Sequence, residues 1–315
     1  MNKDLFNRRI QCPVCSSKKF TEVYHCKFSE KGIQTYLINA YGPGETINFQ
    51  YLENYKYSLI QCGNCDLIFQ EYIPKSNFMV ELYDSWIDPE QALRQQQNYK
   101  VSYYSTYSQD ILQILAYLSK PPATLKVLDF GMGWGRWALM AKAFGCEVYG
   151  VELSEQRINY AKTNGIKSIG WNDIPNYKFD FINTDQVFEH LSEPVHVLTQ
   201  LKQSLQSNGI IKICVPNSFG IRYRLMHMDW TAPKGSLKSL NPVAPLEHIN
   251  CFYRKSMLNL AQRLDLLEVK IPISIQYQYM TVWDSPKKAL RNLLMPIYRN
   301  IFGLQNYYLF QKKPL

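Results

Sequence analysis

No run of apolar residues in this chain approaches the roughly 18 needed to cross a bilayer as a helix. The opening Met1-Asn2-Lys3-Asp4 lacks the apolar stretch of a secretion signal, so a cytoplasmic protein is expected. Charge is also scarce. Only 19% of residues are Asp, Glu, Lys or Arg, against 46% hydrophobic and 14% aromatic, which excludes a disordered chain, a collagen or a coiled coil. Eight cysteines in 315 residues are too few for a disulfide scaffold. A chain of this length has room for about two domains, or one large domain with an appendage.

The charge that is present is unevenly placed. Residues 1–120 carry 12 basic and 12 acidic groups, residues 121–220 carry 9 and 9, and residues 221–315 carry 14 and 5. The net charge of +9 therefore resides in the last third, which points to an anionic partner there: a phosphorylated substrate, a lipid surface or nucleic acid. A solvated basic face is the plainer reading.

Four of the cysteines form two C-x-x-C pairs, Cys12-Pro-Val-Cys15 and Cys62-Gly-Asn-Cys65; Cys26, Cys146, Cys214 and Cys251 read as buried thiols. This spacing lets two thiolates reach one tetrahedral ion from each pair, and four thiolates suit a structural zinc with no open coordination position. Redox chemistry is disfavoured, because neither pair opens a helix in a βαβ unit. The segment between the pairs reads as β arms of a ribbon, with Tyr41-Gly42-Pro43-Gly44 as its clearest turn. His25 beside Cys26 is at most a spare ligand.

From about Asp88 to Lys120 the pattern is helical, with Ile111, Ile114, Leu115 and Leu118 on one side and Pro121-Pro122 as the stop. From Leu125 short apolar runs alternate with amphipathic stretches through Val215, the mark of a doubly wound parallel α/β sheet. Val269–Ile275 and Tyr307–Phe310 are candidate closing strands after a helix over Ser256–Leu264. The expected organisation is a zinc ribbon over 1–85, a helical linker over 86–122, and a sheet domain over 123–315 with insertions at about 217–247 and 276–305.

The sheet's first strand ends in a glycine turn, Val127-Leu-Asp129-Phe-Gly131-Met132-Gly133-Trp-Gly135-Arg136. A dinucleotide fold would place the third glycine at 136, and no Gly-Lys-Ser/Thr follows for a P-loop. An acid closes the second strand at Glu152, with Leu153-Ser154 starting the next helix. This pairing resembles the first motifs of class I S-adenosylmethionine-dependent methyltransferases. The resemblance implies a Rossmann-like methyltransferase sheet and a cofactor site at Asp129, Gly131, Met132, Gly133, Gly135, Glu152, Leu153, Asp173, Asp185 and Gln186. It also implies that Glu152 accepts the two ribose hydroxyls.

Further along, Asp185-Gln186-Val-Phe-Glu189-His190 is similar to the family's fourth-strand region, and Glu247-His248-Ile-Asn-Cys-Phe252 to a segment of the subgroup acting on sugars and other small metabolites. An N-terminal two-pair cysteine ribbon is likewise seen among sugar methyltransferases. Pro245 stands where sugar C-methyltransferases have a tyrosine, so O-methylation is expected. An acceptor hydroxyl must lose a proton, and histidine suits that task near neutral pH. His248 and His190 are the candidate bases, His248 favoured, with Glu189 beside them; a helix cap is the plainer role for each. His196 reads as packing or surface, and His227 has no motif support.

Two alternatives stay open. Small-RNA 2′-O-methyltransferases and ubiquinone-pathway O-methyltransferases have Glu-x-x-Glu-His, which binds a hard cation, where this chain has Gln186-x-x-Glu189-His190. An RNA 2′-O-methyltransferase is thus the second reading, although the ribbon region is neutral and nucleic acid is disfavoured. A non-catalytic cofactor-binding scaffold is the third. Residues 286–302 mix Lys287, Lys288, Arg291 and Arg299 with apolar residues in a helix-like stretch interrupted by Pro296. The segment forms a lid over the acceptor, the favoured reading, or lies on a membrane surface and serves a lipid-linked glycan.

Overall fold

A computed structural model describes residues 5–41, 47–81, 93, 94, 96–283, 285–302 and 307–314. The expected turn at 42–44 and the first part of the linker helix, 88–92, lie outside these. The chain forms two compact units. One comprises Met1–Ala92, Phe188–Val195 and Val215–Leu260, and the other Leu93–Val187, His196–Cys214 and Ala261–Leu315.

The first unit begins with β1 (Phe6–Arg8), β2 (Phe20–Lys27), α1 (Lys31–Tyr41), β3 (Lys56–Cys62), β4 (Ile68–Gln70), β5 (Tyr72–Pro74) and α2 (Ser76–Glu81). Strands β2 and β3 pair antiparallel from Phe20↔Cys62 to Lys27↔Lys56, and β3 continues the sheet to β4. The segment between the cysteine pairs is not wholly β. Ile33, Leu37 and Tyr41 recur at helical spacing and bury one face of α1. Their neighbours include Leu52, Tyr57, Leu59 and Trp230, whose ring lies 5.3 Å from that of Tyr36 and 5.8 Å from that of Tyr57.

The second unit opens with α3 (Val101–Leu118), which contains neither glycine nor proline and stops at Ser119 in the left-handed region. There follow β6 (Lys126–Phe130), α4 (Arg136–Ala143), β7 (Glu147–Val151), α5 (Glu155–Thr163), β8 (Lys167–Ser168), β9 (Phe179–Asp185), α6 (Pro194–Gln203) and β10 (Leu205–Cys214). The chain then supplies α7 (Ile221–His227) and β11 (Asn250–Cys251) to the first unit, where β11 pairs antiparallel with β4. After α8 (Arg254–Gln262) come β12 (Leu266–Val269), α9 (Ile273–Gln278), α10 (Pro286–Phe302) and β13 (Tyr307–Lys312).

The seven-stranded sheet runs β12-β13-β10-β9-β6-β7-β8. The expected doubly wound α/β sheet is present: β6 pairs parallel with both β7 and β9, β10 parallel with β9, and only β13 runs against its neighbours. The first six residues of β9 are buried, as a strand covered on both faces requires. Ile111 and Ile114 of α3, Val127, Trp137, Phe181 and Ile210 belong to one core. The closing strand expected at Val269–Ile275 ends at Val269, because Pro272 has no amide for a ladder and instead precedes α9. Pro296 does not interrupt α10; it lies inside the helix and costs one backbone bond. Among the described residues no helix is long and apolar enough to cross a membrane.

Candidate functional site

From β6 the chain steps outward to β7 and β8 and then returns to the other side of β6 as β9. This reversal leaves a crevice at the carboxyl ends of β6 and β9, the usual ligand position in open α/β sheets. The glycine turn lies there. Gly131, Gly133 and Gly135 have φ of +71°, +54° and +67°, a region that side chains other than glycine rarely enter. A Cβ on Gly131 would come within 2.6 Å of Val187, and one on Gly135 within 3.0 Å of Ile166. At Gly133 it would meet nothing within 4 Å: bare backbone there faces open space.

Glu152, at the end of β7, closes the other side of that space. Its Oε2 accepts from the Gly133 amide at 2.9 Å, and its Oε1 from the amides of Leu153 at 2.8 Å and Ser154 at 3.2 Å. A carboxylate has about four acceptor positions, so one more donor can be taken without breaking these three. Leu153 is 93% exposed beside it, whereas Met132 is buried against Gly150, where a Cβ would overlap its sulfur.

Asp129 points the other way. Its oxygens accept from the Ala138 amide in the first turn of α4 at 3.2 Å and from Asn183 Nδ2 at 2.8 Å. Burial pushes its carboxyl up to about 7 against those two bonds. Asp173 accepts from the Gly170 amide at 3.1 Å and caps its own 3₁₀ turn. Asp185 ends β9, and Gln186 follows with φ +57°, its amide bonded to the Cys214 carbonyl at 3.0 Å.

Sequence patterning missed a tyrosine ladder on this unit. The Arg136 guanidinium lies over the rings of Tyr99 and Tyr103, 5.9 and 5.7 Å from their centroids, and bonds the Tyr103 hydroxyl. The signal was legible as Tyr99, Tyr103 and Tyr107 at four-residue spacing. Asp110 on the same helix accepts from the indole of Trp137 at 3.3 Å and from the buried ammonium of Lys212.

The first unit gathers Glu189, His190 and His248. The two imidazole centroids are 4.8 Å apart, Glu189 Oε1 is 4.0 Å from His190 Nε2, and one potential ligand atom from each residue lies within 4.8 Å of the others. His190 Nδ1 bonds the Glu247 carbonyl at 3.0 Å and His248 Nδ1 bonds the Asn241 carbonyl. Carbonyls only accept, so in both rings Nδ1 carries the hydrogen and Nε2 keeps the lone pair. Burial lowers His190 to about 4 and takes His248 well below its usual value, helped by the neighbouring ring.

Both turns are stitched by residues that the motifs did not reveal. Asn250 donates to the carbonyls of Phe188 and Leu191, Arg9 donates to Asn250 at 2.8 Å, and Gln70 donates to the His248 carbonyl at 3.1 Å. Leu246, two residues before His248, has φ +69°. A non-glycine residue held there costs on the order of 1 kcal/mol and is typical of backbone set for a task. His196 packs on Trp171 in the second unit, ring centroids 6.1 Å apart, and His25 pairs with Glu22 at 2.7 Å. His227 bonds the Tyr223 carbonyl.

A pH dependence follows from His190. Its folded value of about 4 lies below the unfolded value near 6.5, so the unfolded chain binds the extra proton between these two. The contribution of His190 to stability is fully present above pH 6.5 and is lost as pH falls toward 4, by up to about 3 kcal/mol. Thermal melts across that window should show a smaller acid-induced decline in His190→Gln than in the parent; equal declines would remove His190 as the cause.

The four paired cysteines also converge. Cys12 and Cys65 sulfurs are 3.5 Å apart, Cys15 and Cys62 sulfurs 3.4 Å, and all four lie within 4.8 Å. Sulfurs 2.3 Å from a tetrahedral ion stand about 3.8 Å from one another, so the set fits one such ion and is compatible with a small zinc-binding domain. The Asn64 amide points at Cys62 Sγ at 3.4 Å. Ser16 and Asp66, each one residue past its pair, both have φ near +60° and turn the chain back around the sulfurs. The hydrogen bond between the Cys12 and Cys65 sulfurs lowers the pKa of one thiol of the pair, Cys12, and raises that of the other.

Among solved structures, the plantazolicin methyltransferase BpumL in complex with SAH is 18% identical, covering 75% of this chain and 94% of its own, with a TM-score of 0.46. A TehB-like SAM-dependent methyltransferase from Corynebacterium glutamicum is 16% identical over 71% of this chain and 98% of its own, TM-score 0.42. PKMT2 from Rickettsia typhi, in complex with AdoHcy, is 19% identical over 69% and 55%, TM-score 0.41. No curated protein matches the chain. The family described as a methyltransferase domain matches residues 102–269, from α3 through the end of β12. Since that span is more than half of the chain and contains the glycine turn, Glu152 and the strands around them, the chain belongs to the methyltransferase-domain family and is an S-adenosylmethionine-dependent methyltransferase.

Proposed function

We propose that this enzyme methylates a hydroxyl of a sugar, glycan or related small metabolite, phosphorylated or lipid-linked acceptors included. The observation that carries the cofactor side is the open space over Gly133 beside Glu152. In this reading the glycine backbone admits the methionine part of S-adenosylmethionine, Glu152 takes the ribose, and Leu153 and Asp173 border the adenine. Met132, Gly131, Gly135 and Asp129 hold the turn's shape, and Asp185 and Gln186 border the methyl end. The bound sulfonium supplies an electrophilic methyl group. The protein's part is alignment, which supplies most of the rate in such a displacement. The sugar or metabolite class rests on the resemblance of Glu247-His248 through Phe252.

His248 is the proposed base. Its Nδ1–H is held by the Asn241 carbonyl, which leaves Nε2 to take the hydroxyl proton. A second reading has one specific observation in its favour, the convergence of Glu189, His190 and His248. Two neutral imidazoles and a carboxylate fit a divalent cation, which would acidify a bound hydroxyl. The same proposal assigns a structural zinc to Cys12, Cys15, Cys62 and Cys65, a ribbon domain near 1–85 that residues 188–195 and 215–260 join, a helical linker near 86–122 and a catalytic domain in the rest of 123–315.

Calorimetry tests the cofactor assignment. Glu152→Ala should weaken S-adenosylmethionine binding roughly tenfold to a hundredfold, the loss of a charged acceptor worth about 1.5–3 kcal/mol. Gly133→Val should remove binding. Unchanged affinity in both variants would sink the assignment. Turnover with labelled cofactor against nucleotide-sugars, glycans and RNA separates the acceptor classes, and activity on RNA alone would overturn the sugar reading.

A further inference from the structure

Helix α10 carries a row of apolar side chains that its own unit does not cover. Asn292 faces inward, bonded to Gln109 of α3 and to the Val282 carbonyl, and Pro296 one turn on is buried. Leu290, Leu293, Leu294 and Ile297 fall at i, i+3, i+4 and i+7 and stay 41–59% exposed. Lys287 and Arg291 stand exposed on the flank of that row. Trp283, just before the helix, is 50% exposed. Residues 273–302 contain one acid, Asp284, against four basic residues.

A lid would turn an apolar row of this kind toward the unit that it closes. Here the inward positions are Asn292 and Pro296, and the leucines face away from that contact. An exposed apolar row bordered by cations has the chemistry of a helix lying in the headgroup region of an anionic bilayer, with acyl chains receiving the leucines and Lys287 and Arg291 reaching the phosphates. We propose that α10 docks this enzyme on an anionic membrane surface. The remainder of the unit fits that use. The Asn292–Gln109 contact joins α10 to α3, the helix whose Tyr103 bonds Arg136 directly after the glycine turn. A docked α10 therefore holds the cofactor edge of the sheet at a fixed distance from the lipid.

The test is co-sedimentation of the full chain with vesicles of phosphatidylcholine alone or mixed with phosphatidylglycerol. Binding should require phosphatidylglycerol and weaken as salt is raised. Lys287→Gln/Arg291→Gln should reduce binding on the order of 30-fold, from two charges each worth about fivefold at the surface. Leu290→Gln/Leu294→Gln should reduce it at least tenfold, with a melting temperature equal to the parent's in both variants. The proposal is overturned by no preference for phosphatidylglycerol vesicles, by variants that bind as the parent does, or by a self-association that the leucine variant abolishes without any vesicle binding. Slower turnover of a water-soluble acceptor by the leucine variant, again without vesicle binding, would return the helix to a lid and leave the proposed methyl transfer untouched.

Discussion

Cys62→Ser protein is expected to purify without zinc and with its first unit unfolded, where the parent chain carries about one zinc per molecule. Four cysteine sulfurs lie within 4.8 Å of one another, a spacing that suits one shared tetrahedral ion. Structural zinc contributes about 10–16 kcal/mol in small zinc-binding peptides, as much as the whole net stability of a typical domain, about 5–15 kcal/mol. Cys62 also ends β3, the strand that joins β2 to β4, so release of the ion loosens the sheet from one end. Metal analysis with circular dichroism before and after chelation checks this. Metal-free protein with an unchanged melting curve would remove zinc from the account. Because the four thiolates leave no open position, chelation should cost stability first and turnover only as a consequence.

His248→Asn protein is expected to bind S-adenosylmethionine as the parent does and to turn over about 10²–10⁴ times more slowly. Asparagine can retain a donor toward the Asn241 carbonyl, where Nδ1 now sits, but lacks the Nε2 lone pair. The comparison thus separates proton removal from bracing, which His248→Ala alone would confuse by leaving a buried carbonyl unbonded. Loss of turnover with cofactor affinity retained is the signature of an interaction made on the way to the transition state. Near-normal turnover across the pH range would reduce His248 to a brace. Turnover that instead depends on added divalent cation and collapses in Glu189→Ala would favour the cation reading of the same three residues.

The sheet and its glycine turn were legible because their signals are local. Alternating runs from Leu125 give the strands, and three glycines followed by an acid at the end of the next strand mark the turn. What was not legible depends on direction or on distant partners. Asp129 lies next to last in β6, but its oxygens turn toward the first turn of α4 and Asn183, a rotamer choice that spacing does not encode. The strand expected at Val269–Ile275 lies instead at Leu266–Val269: the apolar run continues through Ile273 and Ile275, but Pro272 has no amide for a ladder and precedes α9. Helix α1 was hidden among β segments by Thr35 and Ile38, although the spacing of Ile33, Leu37 and Tyr41 recorded it. Glu189, His190 and His248 were each visible, yet their convergence is not. It needs Asn250 and Arg9 to bind two turns nearly 60 residues apart in the chain.

The route of the chain limits what can be cut from it. It passes between the two units five times, and the first unit receives β11, α7 and Trp230 only after most of the catalytic sheet has been made. A fragment ending at residue 92 would leave β4 with a bare hydrogen-bonding edge and the rings of Tyr36 and Tyr57 without the indole they surround. On a ribosome, the first unit cannot complete its core until residue 251 has emerged. A cut made at a single point in the chain between residues 92 and 260 therefore removes part of the first unit.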